Sequence, residues 1–244
     1  MEIFTYGEGA RQKRCEELLA RRDSRYKRLI LLPIPTTKDK KYVFGTQTPL
    51  SEVAERCGKG TLAVGYGLPD GFVLECESRG AVVLDAGRDE EFLMKNAELT
   101  ALAALGWLLT SFPRTLADMR IGIIGYGRIG RRLCELILTL SGVAVVYTRS
   151  ENTRVSLGEV GVESRLFSRK NDFSGIDILI NTAPTRIISD GEAESLPRGL
   201  IIAELASGVN FPEGMNVVRL PSLPERFYPE TAGALYADFI ERRL

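Results

Sequence analysis

The 244-residue sequence contains no histidine. Ser-His-Asp and Cys-His catalytic arrangements, and any imidazole acid or base, are therefore excluded. Proton transfer in this chain would have to use a carboxylate, a lysine, a tyrosine or a cysteine. Otherwise the substrate would have to be reactive enough for positioning beside a cofactor to suffice.

Cysteine is scarce, and the four residues Cys15, Cys57, Cys76 and Cys134 show no C-x-x-C spacing. Without histidine partners they suggest neither a disulfide framework nor a metal site. We expect free thiols, with Cys134 packed in a core, and no bound metal.

An excess of charge is also absent, because 32 basic residues face 32 acidic ones. Nothing in this balance points to nucleic acid or to an anionic membrane as a partner. The first seven residues do not resemble a signal peptide, and we expect no membrane span and a cytoplasmic protein. A hydrophobic fraction of 44% suits one large domain or two small ones.

Glycine is present where a nucleotide site requires it. The apolar run 120–124 leads into Gly125-Tyr-Gly-Arg-Ile-Gly130, a G-x-G-x-x-G pattern. Gly125 allows the tight turn after a strand, Gly127 lets the backbone approach a pyrophosphate, and Gly130 lets the helix lie close to the sheet. The segment predicts a nicotinamide dinucleotide site at a helix N-terminus.

The residues after this motif complete a βαβ unit. Helical spacing over 131–140 is followed by a strand-like run at 143–147 and then by Thr148, Arg149 and Ser150. NAD-binding proteins usually place a carboxylate at this strand end, whereas two hydroxyls and a guanidinium suit a 2′-phosphate. We therefore expect NADP rather than NAD; the alternative is that Arg149 is an ordinary surface residue.

The remaining pattern is typical of an α/β protein. It predicts strands at 2–6, 28–33, 61–66 and 81–85, helices at 9–22 and 89–112, and short buried strands within 177–184, 200–207 and 216–220. We expect a Rossmann doubly wound parallel sheet preceded by a smaller flavodoxin-like α/β domain. The expected boundaries are a substrate-side domain at 1–88, a linking helix at 89–113, the dinucleotide-binding domain at 114–228, and a final helix at 229–244 that packs back on the first domain.

Several segments together resemble one family. These are Gly9-Ala-Arg-Gln12, Leu31-Leu-Pro-Ile-Pro-Thr-Thr37, the glycine loop, Asp177-Ile-Leu-Ile-Asn-Thr-Ala-Pro184, Glu204-Leu-Ala-Ser207, Leu220-Pro-Ser-Leu-Pro224 and Pro229-Glu-Thr-Ala-Gly233. The chain resembles the dipicolinate synthase A subunits and, more distantly, the NAD-binding domains of 2-hydroxyacid dehydrogenases and adenosylhomocysteinase. The resemblance implies a cytoplasmic enzyme that, with a flavoprotein-like B subunit, converts 4-hydroxytetrahydrodipicolinate to dipicolinate, a spore component, using NADP⁺.

For the cofactor, position in this fold assigns Gly127, Arg128 and Ile129 to the pyrophosphate, and the loop at 148–150 to the adenosine phosphate. Because loops at the carboxyl ends of strands contact the ligand, further residues are expected near the ribose and nicotinamide. They are Asn181, Thr182, Pro184, Ala206 and Ser207. The alternative for each is an ordinary turn at a strand end.

For the dicarboxylate substrate, the candidates are Thr36, Thr37 and Arg186, with Lys38 beside them. The catalytic proton acceptor is unknown, and its candidates are Lys38, Glu204 and Glu230. The run 96–100 lacks the proline and glutamate expected in this family's segment, so Glu98 would have to replace that glutamate or the substrate would differ.

Three functional hypotheses remain. The first is the NADP-dependent enzyme, the second a related oxidoreductase acting on another small carboxylate, and the third a non-catalytic nucleotide- or partner-binding protein. Self-association stays open, because an apolar helix face looks the same whether it meets another domain or another copy.

Overall fold

The computed structural model describes residues 1–168, 171–184, 188, 196–197, 199–206, 211–212 and 215–244. They form two compact units, Met1–Asn96 with Pro224–Leu244, and Ala97–Leu223. Each unit contains a parallel sheet flanked by helices. The predicted α/β class with two parallel sheets is confirmed.

The first unit is built on four parallel strands that pair in sequence order, β1-β2-β3-β4. The strands are β1 (Glu2–Thr5), β2 (Arg28–Leu31), β3 (Thr61–Gly65) and β4 (Val82–Asp85). Every residue of the central strand β3 is buried, because a parallel strand with helices on both faces has no solvent side. This explains why β3 reads as a continuous run of small and apolar residues.

Helices cover this sheet. They are α1 (Ala10–Leu19), α2 (Leu50–Glu55), α3 (Asp70–Ser78), the first turns of α4 (Glu90–Ser111), most of α7 (Leu223–Phe227) and α8 (Pro229–Glu241). On one face, Ile30 and Ala63 pack with Val53 of α2 and Phe72 of α3. Elsewhere in this unit Phe92 stacks against Tyr236 and Phe239 of α8, with ring centroids 6.0 and 5.5 Å apart.

Helix α4 is long and apolar enough by length and composition to span a membrane, with a mean hydropathy of 1.2. Half of that window is buried inside the protein, so length and composition alone do not identify α4 as a membrane span.

The second unit has six parallel strands in the order β10-β9-β8-β5-β6-β7. They are β5 (Arg120–Ile124), β6 (Val143–Thr148), β7 (Glu163–Leu166), β8 (Ile178–Asn181), β9 (Ile201–Glu204) and β10 (Val217–Arg219), with helices α5 (Arg128–Thr139) and α6 (Glu151–Glu159). Read from β7, this is the 3-2-1-4-5-6 order of a Rossmann fold. The strand order reverses between β5 and β8, and the register aligns the strand ends there: Ile124 pairs with both Tyr147 and Asn181, and Asn181 pairs with Glu204.

All four cysteines are free thiols, as predicted, and all four are buried. Cys134 lies on the buried face of α5, and burial raises the pKa of its thiol to about 11. Such a thiol is protonated and behaves as a small apolar side chain. Among the described residues no cluster of three acidic or cysteine side chains could hold a metal ion.

Candidate cofactor-binding site

The glycine loop after β5 has the conformation that its sequence predicts. Gly125 has φ of +92°, a region that side-chain-bearing residues rarely adopt. A Cβ on Gly130 would lie 2.1 Å from the carbonyl oxygen of Gly125, so only glycine lets α5 approach the strand this closely. A Cβ on Gly127, by contrast, would point into open space. That space borders the start of α5, where a pyrophosphate would lie in this fold.

The N-terminus of α5 follows the glycine loop directly. Gly127, which has no side chain of its own, is its N-cap residue. The first turn carries no acidic residue. Its backbone amides and the positive end of the helix dipole therefore face the loop without a competing carboxylate from that turn.

A cleft of about 400 Å³ opens at the carboxyl ends of β5, β6, β7 and β8. It is lined by residues 124–127, 147–150, 153, 167 and 182–184. This is the point where the strand order reverses, which is where open α/β sheets bind ligands. The cleft brings together the predicted glycine loop, the predicted loop after β6, and Thr182 and Pro184.

The wall formed by the loop after β6 is rich in hydrogen-bond donors. Thr148 Oγ1 accepts a hydrogen bond from the Ser150 amide at 3.1 Å, and Ser150 Oγ accepts one from the Thr153 amide at 3.2 Å. Each hydroxyl oxygen is thus used as an acceptor, which leaves its own proton free for donation. Arg149 beside them is exposed and joins none of the ion pairs among the described residues. This wall suits an anion.

The nearest acid in sequence does not oppose that assignment. Glu151, in the first turn of α6, accepts hydrogen bonds from Arg154 Nε at 2.9 and 3.0 Å. This pairing lowers the pKa of Glu151, and the positive charge of Arg154 offsets the negative charge of the carboxylate. A phosphate near Arg149 would therefore meet little repulsion from α6.

Asn181 and Glu204 form a buried pair at the ends of β8 and β9. The Asn181 side chain is fully buried and Glu204 is 5% exposed. Asn181 Nδ2 donates to Glu204 Oε1 at 2.9 Å, and the Ala206 amide donates to the same oxygen at 2.9 Å. Asn181 Oδ1 in turn accepts from the Ala183 amide at 3.0 Å. The pair fixes the loops after both strands.

Thr182 also serves the loop structure, because its hydroxyl donates to the Ile124 carbonyl at 2.9 Å. The bond ties the end of β8 to the end of β5 beside Gly125. Two further predicted residues, Arg186 and Ser207, lie outside the described residues.

The side chains of the predicted substrate residues in the first unit contact other residues of the protein. Thr36 is buried; its hydroxyl donates to the Pro33 carbonyl at 3.1 Å and accepts from the Tyr66 amide at 2.8 Å. Its position supports a structural role and gives no support to substrate contact. The Thr37 hydroxyl donates to Asp39 at 3.1 Å, and Lys38 Nζ lies 4.5 Å from the centroid of the Phe44 ring.

Glu230, a predicted candidate for proton transfer, is exposed on α8 and lies 2.8 Å from Arg14 Nε. Its position shows a surface ion pair and nothing that marks it as a base.

Sequence reasoning missed other residues. Tyr147 and Phe167 line the cleft, and Arg11 and Gln12 of the Gly9–Gln12 segment are buried. That segment carried the resemblance but was assigned no role.

The comparisons with known proteins agree with this architecture. No family model matches the chain. The A subunit of dipicolinate synthase from Bacillus subtilis (strain 168) is 28% identical over 138 residues, which cover 53% of this chain and 46% of that protein. The chain thus spans about half the length of the curated relative it matches.

Among solved structures, the A subunit of dipicolinate synthase from Bacillus halodurans has a TM-score of 0.79 at 17% identity, covering 99% of this chain and 96% of that one. A D-isomer specific 2-hydroxyacid dehydrogenase from Xanthobacter autotrophicus Py2, solved in complex with NADPH, has a TM-score of 0.50 at 16% identity and covers 98% and 94% of the two chains. The second unit thus shares the fold of nicotinamide-dependent dehydrogenases. The chain is similar to the dipicolinate synthase A subunits, in sequence over about half of its length and in fold over almost all of it.

Proposed function

We propose that this protein is an NADP-dependent oxidoreductase that converts 4-hydroxytetrahydrodipicolinate to dipicolinate. The observation that carries the proposal is the cleft where the strand order reverses, which combines the glycine loop with the donor-rich loop after β6. The similarity to the dipicolinate synthase A subunits supplies the substrate. A cytoplasmic location belongs to the same proposal.

The proposed cofactor contacts follow from the site. The pyrophosphate lies against Gly127, Arg128, Ile129 and Gly130 at the start of α5, and the 2′-phosphate against Thr148, Arg149 and Ser150. The ribose and nicotinamide lie near the ends of β8 and β9. The residues proposed there are Asn181, Thr182, Pro184, Ala206 and Ser207. When bound, NADP⁺ supplies the hydride acceptor.

The proposed reaction requires little acid–base catalysis from the side chains. Loss of water and transfer of a hydride, with release of a proton, turn the six-membered ring aromatic, and aromaticity favours the product. Positioning and charge complementarity can therefore supply most of the catalysis. Of the candidate proton acceptors, Glu204 is the one at the cofactor sheet; Asn181 and the Ala206 amide already bind its carboxylate. We propose that it positions the strand-end loops.

For the substrate side, we propose that the domain at 1–88 receives the dicarboxylate, with Thr37, Lys38 and Arg186 as candidate contacts. The segment 89–113, which contains α4, links this domain to the dinucleotide-binding domain at 114–228, and the segment 229–244, which contains α8, packs back on the first domain. The relative is named as one of the subunits of its enzyme, which implies a further subunit. We propose a flavoprotein-like B subunit as that partner.

A second candidate function rests on the residue that would replace the family's glutamate. Glu98 Oε1 accepts a hydrogen bond from Arg132 Nη2 at 3.0 Å, and both side chains lie at the surface. A carboxylate held in this way is not presented to a substrate. This favours a related oxidoreductase that acts on another small carboxylate.

The test is turnover by the purified chain, with and without its candidate B subunit, using freshly generated 4-hydroxytetrahydrodipicolinate. Formation of NADPH and of dipicolinate are measured together, with NAD⁺ in place of NADP⁺ as the control. Equal amounts of the two products support the proposal. NADPH formation only with other hydroxy or amino acids supports the second candidate. Cofactor binding without turnover of any acid supports a non-catalytic role.

A further inference from the structure

A buried arginine in the first unit has two side-chain nitrogens without a hydrogen-bond partner. Arg11, in the first turn of α1, is 3% exposed, and its Nε and Nη1 atoms have no hydrogen-bond acceptor. The neighbouring Gln12 is equally buried, and its Oε1 has no donor. Buried charged groups are normally paired, because leaving a guanidinium dry and unbonded is costly. These two donors are therefore suited to bind an anion.

The place of Arg11 in the fold is one where ligands bind. Helix α1 begins at Ala10, shortly after the carboxyl end of β1. Its N-cap residue, Gly9, has no side chain, and its first turn contains no acidic residue; the carboxylate of Glu225 reaches only the backbone amide of Arg11 there, at 3.4 Å. The carboxyl end of a parallel sheet is the usual ligand-binding edge, and a helix N-terminus there favours negative charge.

Neighbouring residues show that the guanidinium lies at this edge. Two tyrosines act on the pKa of Arg11: Tyr66, which follows β3, and Tyr236, whose hydroxyl donates to the Leu32 carbonyl after β2 at 3.1 Å. Burial lowers the pKa of the Arg11 guanidinium, and the nearby Glu225 opposes that effect. An arginine nevertheless stays charged in proteins.

Glu225 does not form an ion pair with the Arg11 side chain. Glu225 Oε1 accepts from the backbone amide of Arg11, at 3.4 Å, and none of the ion pairs among the described residues involves Arg11. Cys15, one turn along the helix, is a buried thiol whose pKa burial raises, so it is neutral. The site therefore retains a cation with two unused donor atoms, Nε and Nη1.

We propose that Arg11 is the carboxylate-binding residue of the first unit and that its guanidinium holds a carboxylate of the small-molecule substrate. A planar fork of N–H donors binds a carboxylate through two parallel hydrogen bonds, which a lysine cannot reproduce. Gln12 lies beside it and can offer an acceptor or, after rotation of its amide, a donor to a neighbouring ligand atom. The identity of that carboxylate as a dicarboxylate rests on the proposed function; the presence of the site does not.

The first arm of the test is the stability of the free protein. Arg11→Met replaces an unpartnered buried cation by an apolar side chain of similar length, which is often neutral or stabilising. We expect the melting temperature of the Arg11→Met variant to equal or exceed that of the wild type, with Arg21→Met at the exposed end of the same segment as control. A clear fall for Arg11→Met alone would show a structural role and overturn the proposal.

The second arm is ligand binding, measured by calorimetry on the full chain with dipicolinate, malate, pyruvate and benzoate. For each acid that the wild type binds, we expect Arg11→Met to weaken affinity by about ten- to a hundredfold, which is the usual effect of losing charge-assisted hydrogen bonds. Arg11→Lys should recover part of the loss, and Arg21→Met should change nothing. NADPH binding should stay the same in all four proteins.

The two proposals fail separately. If the wild type binds malate or pyruvate through Arg11 but not dipicolinate, the proposed substrate is wrong and the carboxylate site stands. If dipicolinate binds equally well to Arg11→Met and to the wild type, or if no acid in the panel binds the wild type, the Arg11 proposal is overturned. Arg11→Lys and Arg11→Gln provide the same comparison should the methionine variant fail to fold.

Discussion

Replacing Arg149 tests whether the cleft binds the 2′-phosphate that distinguishes NADPH from NADH. Its side chain is exposed in the cleft wall, between hydroxyls that keep their protons for donation. A hydrogen bond to a charged group contributes about 1.5–3 kcal/mol, and exposure to solvent reduces this to about 1–2 kcal/mol. Arg149→Gln should therefore weaken NADPH binding by about 5- to 30-fold while leaving NADH binding within about twofold.

Arg149→Glu should go further. Its carboxylate would repel the 2′-phosphate and could accept hydrogen bonds from the ribose hydroxyls of NADH, as the usual acid at this position does. The preference for NADPH over NADH should then disappear or reverse. In the wild type the same preference should decline as salt is added, because the contact lies at the surface.

The assay is fluorescence titration of each protein with NADPH and with NADH. Arg114→Gln is the matched control, since Arg114 is an exposed arginine that pairs with Asp177 ahead of β8, at the opposite edge of the sheet. Equal weakening of both cofactors by Arg149→Glu, or no effect on either, would refute the assignment of this loop to the 2′-phosphate.

Three further predictions concern the glycine loop, the Asn181–Glu204 pair and Thr36. Gly127→Ala places its Cβ in open space and should block the pyrophosphate without loss of stability, whereas Gly130→Ala should lose binding and about 3 kcal/mol of stability, because its Cβ would lie 2.1 Å from a carbonyl oxygen. Asn181→Asp places a second carboxylate beside Glu204, so the loss of folding stability should grow as the pH rises and both groups ionise. The double variant Asn181→Asp/Glu204→Gln should recover stability. Thr36→Val should cost about 1–3 kcal/mol, because it removes the acceptor of the partly buried Tyr66 amide, with no effect on NADPH affinity.

These predictions are checked by thermal or urea unfolding together with NADPH titration. A stable Gly127→Ala protein that binds NADPH normally would contradict the proposed pyrophosphate position. Equal destabilisation of Asn181→Asp at all pH values would show that charge repulsion is not the cause. Loss of NADPH binding by a folded Thr36→Val protein would contradict its structural role.

The parts of the fold that the sequence predicts are those where one physical requirement dominates. Buried parallel strands need continuous apolar runs, so β3, β5, β6 and β8 are evident from their residues. The glycine loop is evident for a different reason, because its backbone geometry admits no side chain at Gly130.

The elements that the sequence does not reveal lie at the edge of the second sheet. β7 (Glu163–Leu166) is a half-exposed edge strand of mixed polarity and has no apolar run. Helix α6 (Glu151–Glu159) buries only Leu157 and so shows no apolar periodicity. Tertiary contacts rather than local patterns form both elements.

Site residues divide in the same way. Backbone-determined positions such as Gly125 follow from a motif, whereas a side chain's partner depends on distant residues. The Thr36 hydroxyl is used by Tyr66, thirty positions away, and the Gln12 and Arg11 side chains are buried by elements from both ends of the chain. No local sequence pattern distinguishes a hydroxyl that can bind a ligand from one that is already hydrogen-bonded within the protein.

The most direct test of the central claim is titration of the purified chain with NADPH and NADH, each repeated with dipicolinate present. The account predicts that NADPH binds more tightly than NADH and that dipicolinate strengthens NADPH binding. Failure of the protein to bind either cofactor would contradict the assignment of the cleft and leave a partner-binding role as the remaining hypothesis.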